Sequence, residues 1–374
     1  MSYELLRLLW WALLGILLIG FAVTDGFDFG SMALLRYTGR TDIERRQVIN
    51  TIGPVWEGNQ VWFVLGGGSI FAAWPLLYAA SFSGFYLAMF AILGSLVLRP
   101  VAIVYRSKLA DTRWRNWWDW VLVVTGTVPP LIFGVAFGNL FKGVPFNFGT
   151  DMRFAPDITL FSLLGGFPVL VGLVSLSMML MHGAAWTAMK TDGVVHDRAH
   201  GAIRLFAGAF ILLFVAAGIW LLSFDGYVIA SAAAHDAPSN PMLKTVILQP
   251  RGWYANFAAH PVFWLAPVLA LLGALAAFAF RRARVVPFLG SGLAIAMTIL
   301  TAGLALFPFL LPSSSHPNAS LTVWDASSSK LTLAVMLGVV VILLPVVLAY
   351  TAFVYRVMRG IVRTDDVTRD HASY

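Results

Sequence analysis

The sequence predicts an all-α integral membrane protein, and three observations support this fold class. Hydrophobic residues make up 59% of the 374 residues, charged residues only 11%, and the mean hydropathy is +0.80. A soluble domain carries about 25% charged residues. Apolar runs of about 20 residues, the length that crosses a bilayer, also recur along the whole chain. We therefore expect one polytopic domain over residues 1–374, in which residues 361–374 form a polar cytoplasmic tail.

Nine apolar runs are long enough to be transmembrane helices. The first lacks the basic lead and the small-residue cleavage site of a signal peptide and is too long to be one, so we expect it to be a membrane span. A very short turn near Trp74 separates the second run from the third, which predicts a helical hairpin. The nine predicted spans are residues 4–35, 56–75, 78–104, 117–140, 158–188, 202–224, 261–280, 286–311 and 330–356.

The basic residues of the loops predict how the chain is oriented. Loops on one side of the membrane hold 18 of the 25 Lys and Arg residues, loops on the other side hold 6, and Arg99 lies inside the third span. Basic residues accumulate in cytoplasmic loops. We therefore expect the N-terminus outside and the C-terminus in the cytoplasm. This distribution also accounts for the net charge of +7 without a nucleic-acid partner.

Two acidic residues lie inside the first predicted span. Asp25 and Asp28 are three residues apart, so they share one face of a helix. Acidic side chains inside membranes are rare and often handle ions or protons. Two carboxylates this close in a medium of low dielectric cannot both be ionised at low cost, so we expect the pair to hold a proton. The alternative is that both acids simply bind neighbouring hydroxyl or backbone groups.

A third acid, Glu57, lies at the start of the second span and shares a helix face with Gln60. In the predicted topology, this position and the cytoplasmic part of the first span lie at the same depth. We therefore expect Glu57, Asp25 and Asp28 to form one cluster that leads inward from the cytoplasm. The alternative is that Glu57 caps the N-terminus of its helix in the membrane interface.

Other charged residues near the spans have simpler expected roles. Arg99, at the end of the third span, is expected to extend toward the cytoplasmic interface. The alternative is a buried counter-ion of Glu57 or of an anionic cofactor group. Asp119 is expected in the interfacial aromatic belt, and Asp225 and Asp325 are expected to be structural caps near the external ends of spans.

Metal and cofactor sites find little support in the sequence. The chain has no cysteine, which excludes disulfides, thiolate-bound haem, iron–sulfur clusters and cysteine zinc sites. His182 is the only histidine within a predicted span, and no second span offers a partner histidine, so the chain alone does not look like a haem-binding subunit. Single methionine ligands stay open as an alternative, although a methionine in a span usually serves packing. Three glycines at residues 66–68 predict either close helix packing or the broken helix of a transporter's binding site.

The chain resembles subunit II of the cytochrome bd-type quinol oxidases over essentially its whole length. The nine-span architecture of that family agrees with the nine apolar runs. The matching runs are residues 20–28 (GFAVTDGFD), 56–62 (WEGNQVW), 71–75 (FAAWP), 82–86 (FSGFY), 105–108 (YRSK), 112–116 (TRWRN), 134–139 (GVAFGN), 225–227 (DGY) and 318–325 (NASLTVWD).

The resemblance implies a two-subunit core, sometimes with small accessory chains, in a bacterial inner membrane. The complex oxidises quinol and reduces O2 to water. The resemblance assigns two haems b, one haem d and the quinol-oxidising loop to subunit I, and it leaves open whether this chain binds a quinone.

Subunit II of the family is thought to shape the haem environment and to supply part of a proton route. The acid of the Trp-acid-Gly-Asn-Gln motif contributes to that route, and many relatives have Asp where this chain has Glu57. Asp25 and Asp28 match the family motif as well, without an assigned role. We therefore expect the proton pathway to include Glu57, Asp25, Asp28 and Gln60, with Trp56, Asn59, Trp62 and Arg99 around it.

Two further functions stay open on the residues alone. A proton-coupled secondary transporter would use residues 66–68 and the acids as its coupling site, and it would work without a haem-bearing partner. A purely structural scaffold would carry acids that never change protonation.

Overall fold

The computed structural model describes residues 1–149, 151–232 and 234–369 of the chain, and helices make up most of it. Short 3-10 turns occupy Arg106–Lys108, Gly252–Tyr254, Pro261–Trp264 and Pro317–Ala319. The α-helices are α1 (Tyr3–Ala33), α2 (Leu35–Thr38), α3 (Asp42–Ile52), α4 (Trp56–Ala73), α5 (Pro75–Gly84), α6 (Tyr86–Tyr105), α7 (Thr112–Lys142), α8 (Leu160–Leu163), α9 (Gly166–Lys190), α10 (Gly193–Leu221), α11 (Ala255–Ala259), α12 (Leu265–Ala279), α13 (Val286–Leu306), α14 (Lys330–Val357) and α15 (Thr364–Arg369).

In the described part of the chain, eight helices are long and apolar enough to cross a membrane, namely α1, α6, α7, α9, α10, α12, α13 and α14. They coincide with eight of the nine predicted spans, and the predicted fold class is confirmed. The remaining predicted span is α4, which has 18 residues and begins with the polar sequence Trp-Glu-Gly-Asn-Gln. The count of nine and the orientation of the termini remain predictions.

Helix α1 is the central helix of the bundle and packs against α4, α7, α9 and α13. Where α1 crosses α9, a Cβ atom on Gly183 would collide with the backbone of Gly30, and a Cβ atom on Gly30 would collide with the carbonyl oxygen of Met179. Small residues allow helix backbones to approach this closely. The crossing therefore fixes α9 beside the acidic segment of α1.

On the predicted external side, the connections form three antiparallel hairpins. Strands β1 (Phe146–Phe148) and β2 (Phe154–Pro156) pair, as do β3 (Asp225–Ser231) with β4 (Thr245–Pro250) and β5 (Phe309–Leu311) with β6 (Leu321–Thr322).

The buried side chain of Arg7, near the start of α1, ties the long external loop to the bundle. Its Nε donates a hydrogen bond to Ser327 Oγ at 2.8 Å. Its two terminal nitrogens donate to the carbonyl oxygens of His235 and Ala237 in that loop. The loop is therefore held on the outer end of the first helix.

The two acids that the sequence suggested as helix caps have other roles. Asp325 accepts a hydrogen bond from the backbone N–H of Thr322 at 2.9 Å and forms an ion pair with Lys244 at 3.0 Å. Asp225 is the exposed first residue of β3. The capping prediction is wrong because neither acid flanks a helix end: Leu222 is the C-cap of α10, and Ser329 is the N-cap of α14.

Asp119 is fully buried near the start of α7, and its predicted position in the interfacial belt stays a prediction. Its Oδ1 lies 2.6 Å from Nε of Arg106, and its Oδ2 lies 2.8 Å from Nη1 of Arg45. Arg106 also pairs with Asp42 at 2.9 Å, and Asp42 pairs with Arg115 at 2.6 Å. The arginines on neighbouring segments cover Asp119, which sequence position alone did not reveal.

The predicted polar tail folds back onto the helical bundle over residues 361–369. The backbone N–H of Val362 donates to the carbonyl of Lys190 at 2.9 Å, and Gln47 donates to the carbonyl of Val362 at 2.8 Å. Helix α15 then packs against α3. The last part of the predicted tail, residues 370–374, lies outside the described residues.

Candidate functional site

Asp25 of α1 and Arg99 of α6 form an ion pair inside the bundle, and both side chains are fully buried. Nη1 of Arg99 donates to Oδ1 of Asp25 at 2.7 Å, and Nη2 donates to Oδ2 at 3.3 Å. The guanidinium also lies 4.9 Å from the ring centre of Phe29 and 5.8 Å from that of Trp56. The prediction that Arg99 extends to the interface is wrong. Its alternative, a buried counter-ion, is correct, but the partner is Asp25 rather than Glu57.

The second acid of α1, Asp28, begins a hydrogen-bonded chain across three helices. Nδ2 of Asn59 in α4 donates to Oδ2 of Asp28 at 2.7 Å, and Oδ1 of Asn59 accepts from the hydroxyl of Tyr355 in α14 at 2.6 Å. Asp28 and Asn59 are buried. Asn59 therefore binds the acid directly, whereas the sequence predicted only a packing role for it.

Tyr355 is the residue of this site that the sequence analysis missed. It lies 296 positions after Asn59, near the end of a helix with many apolar and aromatic residues. Neither a motif nor a local spacing distinguishes it from Tyr350 or Phe353 on the same helix. The hydrogen bond follows only from how α14 packs against α4, so local sequence held no signal for it.

The charges of this buried cluster do not balance if every group is ionised. Asp25, Asp28 and Arg99 are each fully buried, which gives two carboxylates and a single cation. An uncompensated charge in a low-dielectric interior is costly, so such groups neutralise instead. Oδ1 of Asp28 has no hydrogen-bond partner among the described residues. One bound proton on this acid pair would make the cluster neutral.

Glu57 does not join this cluster, so the predicted three-acid group is wrong. Its side chain is exposed, and among the described residues no hydrogen bond or ion pair reaches it. Residues three apart share a helix face, and the buried face of α4 carries Trp56, Asn59 and Trp62. Glu57 lies in the first turn of the helix and points away from that face, as its helix-terminus alternative allowed.

Two further residues of the motif, Trp62 and Gln60, differ in how deeply they are buried. Trp62 is buried against α1, where its ring fills the space in which a Cβ atom on Gly20 would lie. The packing role predicted for Trp62 therefore agrees with its place in the structure. Gln60 is half-buried and makes no hydrogen bond within the described residues, so its predicted part in a proton route remains a prediction.

The three glycines at residues 66–68 break no helix, because α4 continues through them. A Cβ atom added to any of the three would meet no other atom within 4 Å. They therefore do not pack closely against another helix of this chain. Neither of the two predicted roles is fulfilled within the described residues.

His182 is fully buried, and both of its ring nitrogens already have partners. Nε2 lies 2.9 Å from the carbonyl oxygen of Val23, which can only accept, so Nε2 carries a hydrogen. Nδ1 lies 2.7 Å from the hydroxyl of Ser291. An iron ligand needs a free nitrogen lone pair that faces open space. His182 therefore does not fit a haem ligand.

Comparison with known proteins gives consistent results. The family model described as cytochrome bd terminal oxidase subunit II matches residues 6–358. The chain is 48% identical to cytochrome bd-I ubiquinol oxidase subunit 2 of Escherichia coli K12 over 100% of both chains. It is 33% identical to cytochrome bd ubiquinol oxidase subunit 2 of Bacillus subtilis, covering 94% of this chain and 95% of that one.

The fold is also similar to that of a solved structure. A chain of the bd oxidase from Geobacillus thermodenitrificans superposes with a TM-score of 0.68, and the match covers 94% of this chain and 98% of that one. The two sequences are 16% identical, so this similarity concerns the fold alone.

Proposed function

Because the chain belongs to the family of cytochrome bd terminal oxidase subunit II, it is a subunit of a quinol:oxygen oxidoreductase complex, and we propose that it holds a proton at Asp25 and Asp28 for the reduction of O2. The family resemblance of the sequence is thus confirmed. The chain is a multi-pass membrane protein, and the proposed location is a bacterial inner membrane with the C-terminus in the cytoplasm.

The charge balance of the buried cluster carries this proposal. Asp25 keeps its negative charge because Arg99 donates two hydrogen bonds to it. Asp28 accepts from the neutral Asn59, and a second negative charge there would have no cation. Protonation of Asp28 therefore gives the lowest free-energy cost for burying the cluster. An acid that holds one proton in the membrane interior can serve as a proton donor and, once ionised, as a proton acceptor.

The proposed route continues from this cluster to the face of α4 that carries Glu57. Glu57 lies two residues from Asn59 in sequence but on the exposed side of the helix. An acid that faced lipid at this depth would be costly, so the proposed neighbour of this face is another protein. The bare glycines at residues 66–68 lie on the same helix and would allow a partner helix to approach closely.

Subunit I of the oxidase is the proposed partner on this face, and the haem ligands are proposed to lie in it. The complexes of this family carry haem and use quinol. In this chain, both nitrogens of the buried His182 are engaged, and the described residues contain no group of three His, Asp or Glu side chains placed to hold a metal. We propose that this chain contributes protons and packing, and that subunit I supplies the iron ligands.

The transporter alternative loses its main support. It depended on the glycines at residues 66–68 as a helix break, and α4 is continuous there. It also required function without a partner, whereas membership of this family makes the chain one subunit of an oxidase.

The experiment that tests the proposed function compares Asp28→Asn with Asp157→Asn in the purified complex. Asp157 is exposed, so its variant is the matched control for loss of one carboxylate. With Asp28→Asn we expect quinol-dependent O2 consumption to fall about a hundredfold, the lower end for loss of a positioned acid or base. Haem content, taken from the reduced-minus-oxidised spectrum, should stay at the wild-type level, and Asp157→Asn should behave as wild type.

Glu57→Gln tests the proposed exit of the same route. We expect it to lower O2 consumption while haem content and partner association are unchanged. A haem-loaded Asp28→Asn complex with wild-type O2 consumption would contradict the proton-holding role and favour the structural scaffold. Normal consumption in Glu57→Gln alone would remove Glu57 from the route and leave the buried pair.

A further inference from the structure

A second concave site lies away from the acidic cluster, where the start of α10 meets the turn between α12 and α13. It is a cavity of about 500 Å³. The charged residues that line it all belong to these two segments, which are far apart in sequence. The polar residues that line it are His196, Asp197, His200, Arg204, Arg281 and Arg282.

The charge of this cavity is not balanced by the protein. Arg204, Arg281 and Arg282 face it together with a single acid, Asp197. Within the described residues, none of the three arginines forms an ion pair. Other arginines of the same membrane side are paired, for example Arg198 with Glu44 at 2.6 Å. The cavity therefore presents a net positive charge to whatever enters it.

The histidine wall of the cavity is fixed by hydrogen bonds. Nδ1 of His196 lies 2.7 Å from the carbonyl oxygen of Ala188, and its Nε2 lies 2.8 Å from Nε2 of His200. The carbonyl can only accept, so Nδ1 of His196 carries a hydrogen. These contacts hold the two rings in place on one wall. One wall of the cavity is thus fixed by hydrogen bonds within the protein.

Exposed apolar side chains follow the cavity residues along α10 and precede them at the end of α12. Leu205, next to Arg204, is 60% exposed, and Leu212, which lies two turns further on the same face of α10, is 71% exposed. Phe280, at the other side of the cavity, is 60% exposed. A ligand that fits both parts has an anionic head and a long apolar body.

We propose that this cavity binds the phosphate-bearing headgroup of an anionic membrane lipid. Arginine forms paired hydrogen bonds with phosphate oxygens, and basic pockets between transmembrane helices on the cytoplasmic side bind such headgroups. In the predicted orientation, the cavity opens at the cytoplasmic surface. The acyl chains lie along the exposed leucines of α10. This apolar continuation favours a lipid over a soluble phosphate, although both would offer the same anionic group.

The test uses a double variant in the intact oxidase complex. Arg281→Gln together with Arg282→Gln removes two cavity charges, and Arg284→Gln together with Arg359→Gln removes two exposed charges that do not line the cavity. Each complex is reconstituted in phosphatidylcholine vesicles doped with phosphatidylglycerol and extracted into mild detergent. Retained phosphatidylglycerol is then counted by native mass spectrometry. We expect retention to fall about tenfold in the cavity variant and to stay unchanged in the control.

Two further measurements separate the possible outcomes. Arg204→Lys keeps the charge but loses the paired geometry, so a partial loss is expected even if the double variant assembles poorly. Calorimetric titration with inorganic phosphate tests for a soluble anion. Tight phosphate binding that is lost in the cavity variant would overturn the lipid assignment. Equal lipid retention in both double variants would also overturn it, as would loss of a protein subunit from the cavity variant with lipid retention unchanged.

Discussion

Nη1 of Arg99 lies 2.7 Å from Oδ1 of Asp25, and neither side chain has any exposed surface. The pair joins α6 to the central helix α1 inside the bundle. Nε of Arg99 has no partner among the described residues, so the guanidinium depends on Asp25 for its charge compensation. The pair therefore occupies Arg99, and among the described residues Asp28 forms no ion pair of its own.

Arg99→Gln should destabilise the complex by about 3–5 kcal/mol, because it leaves the buried charge of Asp25 without a partner. Adding Asp25→Asn to this variant removes that charge, and the two changes should couple by roughly 0.5–3 kcal/mol. The measurement is the temperature at which haem-loaded complex is lost on heating. Strictly additive losses in the double variant would contradict the pairing.

Tyr355→Phe should lower stability by about 1–3 kcal/mol, since Oδ1 of Asn59 is left buried without a donor. The same variant should slow O2 consumption, because a freed Asn59 amide holds Asp28 less firmly. Tyr350→Phe is the matched control on the same helix, where the tyrosine is 66% exposed. Identical behaviour of the two variants would remove Tyr355 from the site.

His182→Asn should leave the haem bands of the reduced-minus-oxidised spectrum unchanged, because both nitrogens of His182 bind protein groups. Thermal stability should fall by about 1–3 kcal/mol, since the buried hydrogen bonds of His182 to the carbonyl of Val23 and the hydroxyl of Ser291 are lost. His316→Asn, at an exposed position, is the control. Loss of a haem band in His182→Asn alone would show that the histidine does serve the haem.

Asp119→Asn should affect stability and spare the reaction. The change leaves the fully buried Arg106 with Asp42 as its only acid partner among the described residues, and we expect a loss of about 3–5 kcal/mol. O2 consumption per haem, measured below the unfolding temperature, should remain near that of wild type. A large loss of turnover in stable complex would assign Asp119 to the proton route.

Two glycine substitutions should separate effects on the folding of this chain from effects on its association with the partner subunit. Gly183→Ala forces a collision with the backbone of Gly30, so this chain should accumulate poorly in membranes. Gly67→Leu has free space within the chain and should leave its folding intact. If α4 faces the partner subunit, however, Gly67→Leu should reduce the amount of partner recovered in affinity purification. Full recovery would place the partner elsewhere.

The sequence was sufficient for the fold class, the family and the unusual position of Asp25 and Asp28. These features depend on local composition and on motifs that survive in a single chain. The partner of Arg99 was not accessible, because it depends on how α6 is rotated toward α1. The outward direction of Glu57 was missed for the same reason, since a spacing of three residues shows which residues share a face but not what that face meets. Tyr355 needed a contact across 296 positions.

Helix α14, all of which the structure describes, has Leu333 as its one fully buried residue, yet it carries the hydroxyl that completes the Asp28–Asn59 chain. The ribosome makes this helix after α1, α4 and α6, which carry the other residues of the site. Until it enters the membrane, Oδ1 of Asn59 has no donor, and the acidic site is unfinished. A polypeptide that stopped before residue 330 would keep Asp25 and Asp28 but would lack the Tyr355 hydroxyl that donates to Asn59. During biosynthesis, the hydrogen bond to Asn59 can therefore form only after the other helices of the buried cluster have been made.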